Sequence, residues 1–280
     1  MKKSLLAVAA LSAIAGAAQA QSSVTIYGVL DAGYINQKSD GSGTSSRAQS
    51  NSSNFGQSAE QTSRLGFKGT EDLGGGMSAL FTVETGLQPS NTTASTWNNR
   101  QSFVGLKKAG AGQFTIGTQY TPAFQALSAT DVGQTNNMPG SAVYPQSATG
   151  SNGNPGQLPF ATAGGSGGAT DGVTVRTSNT LQAQSDNFAG FTLGAALTQN
   201  GNTVSPAGTT ATTNNYNGWG VKVDYTWNKL YIVGAMNKLK SSNTSAAVTS
   251  AANSSPALWN TASGGNNTQD NQAYAAATYD

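Results

Sequence analysis

The sequence contains neither cysteine nor histidine in its 280 residues. Without cysteine, disulfides cannot stabilise the chain even if it is exported. Without histidine, it lacks the most frequent general base and a very common metal ligand, which argues against a hydrolase built on a serine–histidine pair. Charged residues make up only 9% of the chain, against about 25% in an average soluble domain. We therefore expect no enzymatic activity, no cofactor and no metal site.

The chain also lacks any apolar run of the roughly 18 or more residues that a transmembrane helix needs. At the N-terminus, Lys2 and Lys3 precede a short apolar run, and Ala18-Gln19-Ala20 forms a small-residue cleavage site. This pattern predicts a secretory signal peptide over residues 1–20 and a single domain over residues 21–280. Without Lys2 and Lys3, the formal charge of +2 falls to zero, so nothing indicates a nucleic-acid partner.

Alternation of apolar and polar residues predicts ten β-strands, most clearly on both sides of the Glu-Asp-Leu-Gly-Gly-Gly turn at 71–76. The predicted strands are 23–35, 62–70, 77–87, 99–107, 113–120, 173–183, 190–199, 217–227, 230–238 and 272–280. Long and short connections alternate between them without exception. Outer-membrane barrels show this pattern because their periplasmic turns are short and their external loops are long. The predicted strand 217–227 also carries Trp219 and Trp227 near the two ends of its apolar face, as an interfacial girdle requires.

Five segments carry a more specific pattern. They are SSVTIYGVLDAGY (22–34), SRLGFKGTEDLGGGMSALFTVETG (63–86), NRQSFVGLK (99–107), GQFTIGTQYTP (112–122) and RTSNTLQAQSDNFAGF (176–191). In this order and spacing they resemble the general porins of the Gram-negative outer membrane, of the β-proteobacterial type. The resemblance implies an all-β, antiparallel transmembrane β-barrel of sixteen strands in outer-membrane lipid, normally a homotrimer with one water-filled pore per subunit. It also implies a third external loop, after strand five, that folds inward; the longest connection here, 121–172, follows predicted strand five.

The chain departs from this family at two places. Thr118 stands where family members often carry an arginine. The sequence stops at Asp280, within the tenth predicted strand, so we interpret it as an N-terminal fragment of a sixteen-stranded porin.

A general porin lets small hydrophilic solutes and ions diffuse passively, and charges on the polar strand faces bias which ions enter. The predicted pore-lining residues are Arg64, Lys68, Arg100, Arg176, Lys222, Asp31, Glu84 and Asp224, and the predicted constriction loop contributes Asp131 and Asp171. Basic residues predominate on the wall, so we expect weak selectivity with a lean toward anions.

Two other functions stay open at this stage. A channel specific for one substrate, such as a sugar or phosphate, differs from a general porin only at the constriction. A secreted adhesin would also explain the signal peptide and the loops rich in Gly, Ser, Asn and Thr. The adhesin hypothesis predicts a short sequence repeat, which the chain does not show, and gives no reason for the alternating connection lengths.

Overall fold

The structure, a computed structural model, describes residues 23–40, 49–57, 60–89, 100–135, 174–204, 212–244 and 267–280. The predicted signal peptide, residues 1–20, lies outside the described residues. Within these segments the elements are β1 (Ser23–Val29), β2 (Ala32–Asp40), β3 (Gln49–Gln57), β4 (Arg64–Gly74), β5 (Met77–Gly86), β6 (Ser102–Lys108), β7 (Gly112–Tyr120), α1 (Pro122–Thr130), β8 (Arg176–Ser185), β9 (Phe191–Val204), β10 (Thr212–Trp227), β11 (Leu230–Thr244) and β12 (Asn267–Tyr279).

Ten of these strands form one antiparallel sheet in the order β1-β4-β5-β6-β7-β8-β9-β10-β11-β12, and β2 pairs with β3 in a separate hairpin. From β4 onward each strand pairs with the next in sequence, so the sheet is an up-and-down meander. Within the described residues, β1 and β12 each have one pairing partner, and the sheet is open between them. The predicted all-β antiparallel fold is confirmed. Among the described residues, no helix is long and apolar enough to cross a membrane.

The sheet exposes its apolar face, whereas its polar face is largely buried from β7 to β11, where α1 packs on it. Cross-strand pairs join Val104 to Ile116, Ile116 to Leu181 and Leu181 to Leu197, so these side chains share the apolar face. Leu197 is 60% exposed there, whereas Thr180 on the polar face is fully buried. Other buried polar residues of that face are Thr115, Gln182, Thr198 and Asn237. A sheet in water would hide its apolar face, whereas a sheet in lipid presents it.

Two tryptophans mark the limits of the apolar face on β10. Trp219 and Trp227 are both exposed, and the exposed Val221 and Val223 lie between them on the same face. Trp227 follows Trp219 by eight positions, which is about 27 Å along a strand at roughly 3.4 Å per residue. Barrel strands are tilted by about 35–45°, so this length spans roughly 20 Å of membrane depth, close to the apolar band of about 25 Å that a transmembrane barrel presents to lipid. The face predicted for 217–227 is therefore confirmed.

The strand prediction was wrong at the start of the chain. The predicted strand 23–35 is broken at residues 30–31, and the predicted connection 36–61 contains most of the β2–β3 hairpin. The break has a physical cause, because Asp31 Oδ2 accepts hydrogen bonds of 2.8 Å from both the Glu60 and the Gln61 amides, and the Asp31 amide donates to Ser63 Oγ. The hairpin itself pairs through its backbone, which needs no apolar alternation in the sequence.

Several other strands begin or end at residues different from those predicted. Strand β4 continues through Glu71 and Asp72 to Gly74, so the turn is shorter than predicted; Gly75 and Gly76 both have positive φ angles, which glycine adopts without strain. Strands β9 to β12 also extend well into the predicted long connections. The predicted strand 173–183 corresponds to β8, in which apolar and polar residues alternate poorly. The structural reason is a register shift between β7 and β8 near Gly117, with Asn179 in the left-handed region.

Helix α1 packs on the polar face of the sheet. Its buried Ala123 and Ala126 contact Val233 and Ala235 of β11, the inward-facing apolar residues that receive the helix. Gly220 of β10 leaves room for the start of α1, since a Cβ atom there would lie 2.9 Å from the Pro122 ring. The inward fold expected of the third loop is therefore confirmed over its described part, residues 121–135 and 174–175; residues 136–173 lie outside the described residues.

Candidate pore constriction

Helix α1 begins directly where β7 ends. Thr121 caps it: the Thr121 side chain accepts a hydrogen bond of 3.2 Å from the Phe124 amide, and Pro122 occupies the first turn, where its missing N–H costs nothing. From the sequence, this segment is predicted only as part of the connection 121–172. The signal for a helix was present in the order Thr-Pro-Ala-Phe-Gln-Ala-Leu, a capping residue followed by proline and good helix formers.

Three contacts fix the helix and the residues that follow it across the polar face. The Ala123 amide donates to Asn237 Oδ1 of β11 at 3.4 Å, and Thr130 Oγ1 lies 2.7 Å from the Tyr274 hydroxyl of β12. Beyond the helix, the Gln134 carbonyl accepts a hydrogen bond of 3.1 Å from Gln61 Nε2, just ahead of β4. The segment therefore runs from β7, over β11 and β12, to the start of β4, and lies across the polar face of the sheet.

Glu84 of β5 is the centre of a charged group on the polar face. It is 3% exposed, and its Oε1 accepts a hydrogen bond from Arg100 Nε. Its Oε2 lies 3.8 Å from Arg64 Nε and accepts a hydrogen bond of 3.0 Å from the Tyr27 hydroxyl. One buried carboxylate therefore holds two arginines from different parts of the chain.

Tyr120 brings a third arginine to the same place. Its hydroxyl accepts a hydrogen bond of 3.2 Å from Arg100 Nη2, and the Arg176 guanidinium lies over its ring, 5.7 Å from the centroid. We call Arg64, Arg100, Arg176 and Glu84 the arginine cluster. Three cations against one carboxylate leave it with a net formal charge of two positive units, at the end of the sheet where the long connections lie.

Gly66 makes the Tyr27 contact possible. A Cβ atom at Gly66 would lie 2.3 Å from Tyr27 Cζ, so any larger residue would displace the ring that reaches across β4 to Glu84. The sequence analysis missed both Tyr27 and Tyr120 as members of this site. Alternation places Tyr27 on the polar face, but its reach to Glu84 depends on strand register, which one sequence does not give.

The predicted pore-lining residues Lys68, Lys222 and Asp224 lie outside the arginine cluster. Lys68 is exposed, with its Nζ 5.6 Å from the centroid of the Tyr27 ring. Lys222 and Asp224 form a separate, largely buried pair on β10, with Lys222 Nζ 2.6 Å from Asp224 Oδ1. This pair is formally neutral, so it adds less to the field along the polar face than the arginine cluster does.

The predicted acidic residues outside the strands serve local turns. The Asp131 carboxylate, just after α1, accepts hydrogen bonds from the Gly133 amide at 3.1 Å and the Thr135 amide at 2.7 Å. Asp31 binds the two amides ahead of β4 described above. Asp171 lies outside the described residues.

We expect Glu84→Gln to lower the free energy of unfolding, because removing one partner of a buried ion pair typically costs about 3–5 kcal/mol. Glu71→Gln is the matched control, since Glu71 is exposed near the far end of β4. The measurement is urea unfolding of each variant in lipid vesicles. Equal stability of the two variants would show that the Glu84 contacts contribute no net stability.

Comparisons with known proteins agree with this architecture. A family model described as Gram-negative porin matches residues 7–280. Outer membrane porin protein 32 of Delftia acidovorans is 41% identical over 133 residues, which cover 47% of this chain and 36% of that protein. An outer membrane porin protein of Bordetella pertussis is 37% identical over 141 residues, covering 47% and 37% of the two chains. Major outer membrane protein P.IB of Neisseria gonorrhoeae is 40% identical over 126 residues, covering 44% and 33%.

The matched part therefore spans between 33% and 37% of the length of these curated relatives. Among solved structures, one described as an anion-selective porin from Comamonas acidovorans aligns with 92% of this chain and 74% of its own, at a TM-score of 0.48 and 21% identity.

Proposed function

Because the chain belongs to the Gram-negative porin family, we propose that it forms a water-filled channel for passive diffusion of small hydrophilic solutes and ions across the outer membrane. The observation that supports this most directly is the pairing of an exposed apolar face with a polar face that α1 crosses. Lipid accommodates the first face, and a hydrated passage accommodates the second.

The organisation of the working protein is part of the same proposal. Residues 1–20 direct export and are removed, and residues 21–280 belong to the barrel. Three copies assemble in outer-membrane lipid, each with its own pore. The working barrel has more strands than the ten in this sheet, since aqueous channels are built from about 16–18 strands.

The arginine cluster is the proposed selectivity element, and the other predicted wall charges line the same passage. In a narrow polar passage with low-dielectric walls, fixed charges focus their field and raise the local concentration of the opposite ion. The cluster carries two net positive charges, whereas Lys222 and Asp224 compensate each other. The channel is therefore proposed to favour anions weakly.

Conductance of the full-length protein in a planar bilayer under a tenfold KCl gradient tests the proposal. We expect stepwise, ohmic openings and a small reversal potential whose sign indicates chloride preference. A folded, heat-modifiable oligomer that does not conduct would contradict the channel function. Conductance that saturates with one solute would instead indicate a substrate-specific channel, and a potassium preference would contradict the assigned role of the arginines.

A further inference from the structure

Tyr120, the last residue of β7, contacts two clustered arginines and helix α1 at once. Its hydroxyl accepts a hydrogen bond from Arg100, and its ring lies under the Arg176 guanidinium. The Phe124 ring, in the first turn of α1, packs against the Tyr120 ring with 4.7 Å between centroids. The Tyr120 carbonyl also accepts a hydrogen bond of 3.3 Å from Gln125 Nε2 of α1. A single residue thus connects two cations to the segment that lies across the polar face.

Tyrosine is chemically suited to hold two cations in different ways. The negative face of an aromatic ring attracts a guanidinium group, and a phenolic oxygen accepts a charge-assisted hydrogen bond. Phenylalanine would keep only the first interaction, and leucine would keep neither. Two guanidinium groups close together repel each other, so their long side chains keep one placement only when fixed groups hold them.

We propose that Tyr120 is a positioning residue for ion selectivity, which holds Arg100 and Arg176 at the passage and fixes their placement relative to α1. The inference rests on the proposed channel function and adds a residue that the charge pattern of the sequence does not reveal. Both Tyr120 and Arg176 are half-buried, so loss of their cation–π contact should change the ratio of held to displaced guanidinium placements at least about two- to fivefold, the range for exposed contacts. Selectivity should follow that ratio.

Two substitutions separate the interactions. Tyr120→Leu removes both, so we expect the chloride-to-potassium permeability ratio to move toward unity by about twofold or more. Tyr120→Phe keeps the ring and removes only the hydroxyl, so we expect a smaller shift in the same direction. Tyr225→Leu is the matched control, because Tyr225 of β10 packs against Phe191 at 4.4 Å on the apolar face. The control should leave the permeability ratio unchanged.

A double-mutant cycle distinguishes positioning from a general structural role. In an Arg100→Gln/Arg176→Gln background, Tyr120→Leu should cause no further change in the permeability ratio, because the groups that Tyr120 positions are gone. The same shift in both backgrounds would overturn the positioning role. If Tyr120→Leu does not assemble, the cycle is run with Tyr120→Phe, which keeps the packing with Phe124.

The outcomes also separate this inference from the channel function itself. If the wild-type protein folds but does not conduct, the result contradicts both the proposed function and the inference. A wild-type channel that prefers chloride, with unchanged permeability ratios in both Tyr120 variants, removes only the positioning role. Liposome swelling with a neutral sugar measures the pore width independently. A Tyr120 variant that changes the swelling rate but not the ion preference would show that Tyr120 only supports the packing of α1, and would overturn the inference.

Discussion

We expect simultaneous replacement of Arg64, Arg100 and Arg176 by glutamine to turn the proposed chloride preference of the channel into a potassium preference. The substitutions change the net formal charge of the arginine cluster from two positive units to one negative unit, because Glu84 remains. Focusing of a field in a narrow passage changes local ion concentrations by a factor of ten or more, so we estimate about a tenfold fall in the chloride-to-potassium permeability ratio. The reversal potential under a tenfold KCl gradient measures the change.

The control for this triple variant removes the same number of charges elsewhere. Lys107, Lys108 and Lys229 lie exposed at or beside short turns, at the opposite end of the sheet from the cluster. Replacing all three by glutamine should change the permeability ratio little, because they lie most of a strand's length from the cluster and charges separated by more than about 8–10 Å are largely screened in physiological salt. Equal shifts in the two triple variants would mean that overall charge, and not the cluster, sets selectivity.

The faces of the strands could be predicted from the sequence because side-chain direction alternates strictly along a strand. Arg64, Lys68 and Glu84 needed only this rule, and so did the exposed Trp219 and Trp227. The rule fails where the backbone pairs without an apolar pattern, as in β2 and β3, or where a register shift interrupts alternation, as in β8. In those places the backbone hydrogen bonds determine the structure, and they cannot be predicted from the pattern of side chains.

The contacts within the site could not be predicted, because they depend on pairings between distant parts of the chain. Arg100 precedes β6, yet it reaches Glu84 and Tyr120 only because β5, β6 and β7 are neighbours in register. The Tyr27 contact requires a strand neighbour without a side chain, which Gly66 provides. The sequence predicted the four charged residues of the cluster as pore-lining residues, but it predicted neither their contacts with one another nor the two tyrosines that hold them.

The exposed apolar face gives the second large prediction, since an arginine placed there must either remain in lipid or distort the barrel. Val223 lies on β10 midway between Trp219 and Trp227, and it is 45% exposed on that face. An arginine at mid-depth on the lipid face of a barrel costs about 2–4 kcal/mol. We therefore expect Val223→Arg to lower the free energy of unfolding by this amount, measured by tryptophan fluorescence during urea unfolding in vesicles.

The control for Val223→Arg uses the same side chain on the other face of the same strand. The Thr226 side chain points to the opposite face of β10 from Val223, and it is exposed near the short β10–β11 turn. Thr226→Arg should cost little, since an arginine near the interface or the lumen keeps its hydration, and the depth-dependent penalty falls to about 0–1 kcal/mol there. If both variants lose the same stability, the apolar face does not meet lipid. A protein partner, and not lipid, would then have to cover Leu197, Val223 and their neighbours. That result would also contradict the proposed orientation, in which the polar face with the arginine cluster lines the channel.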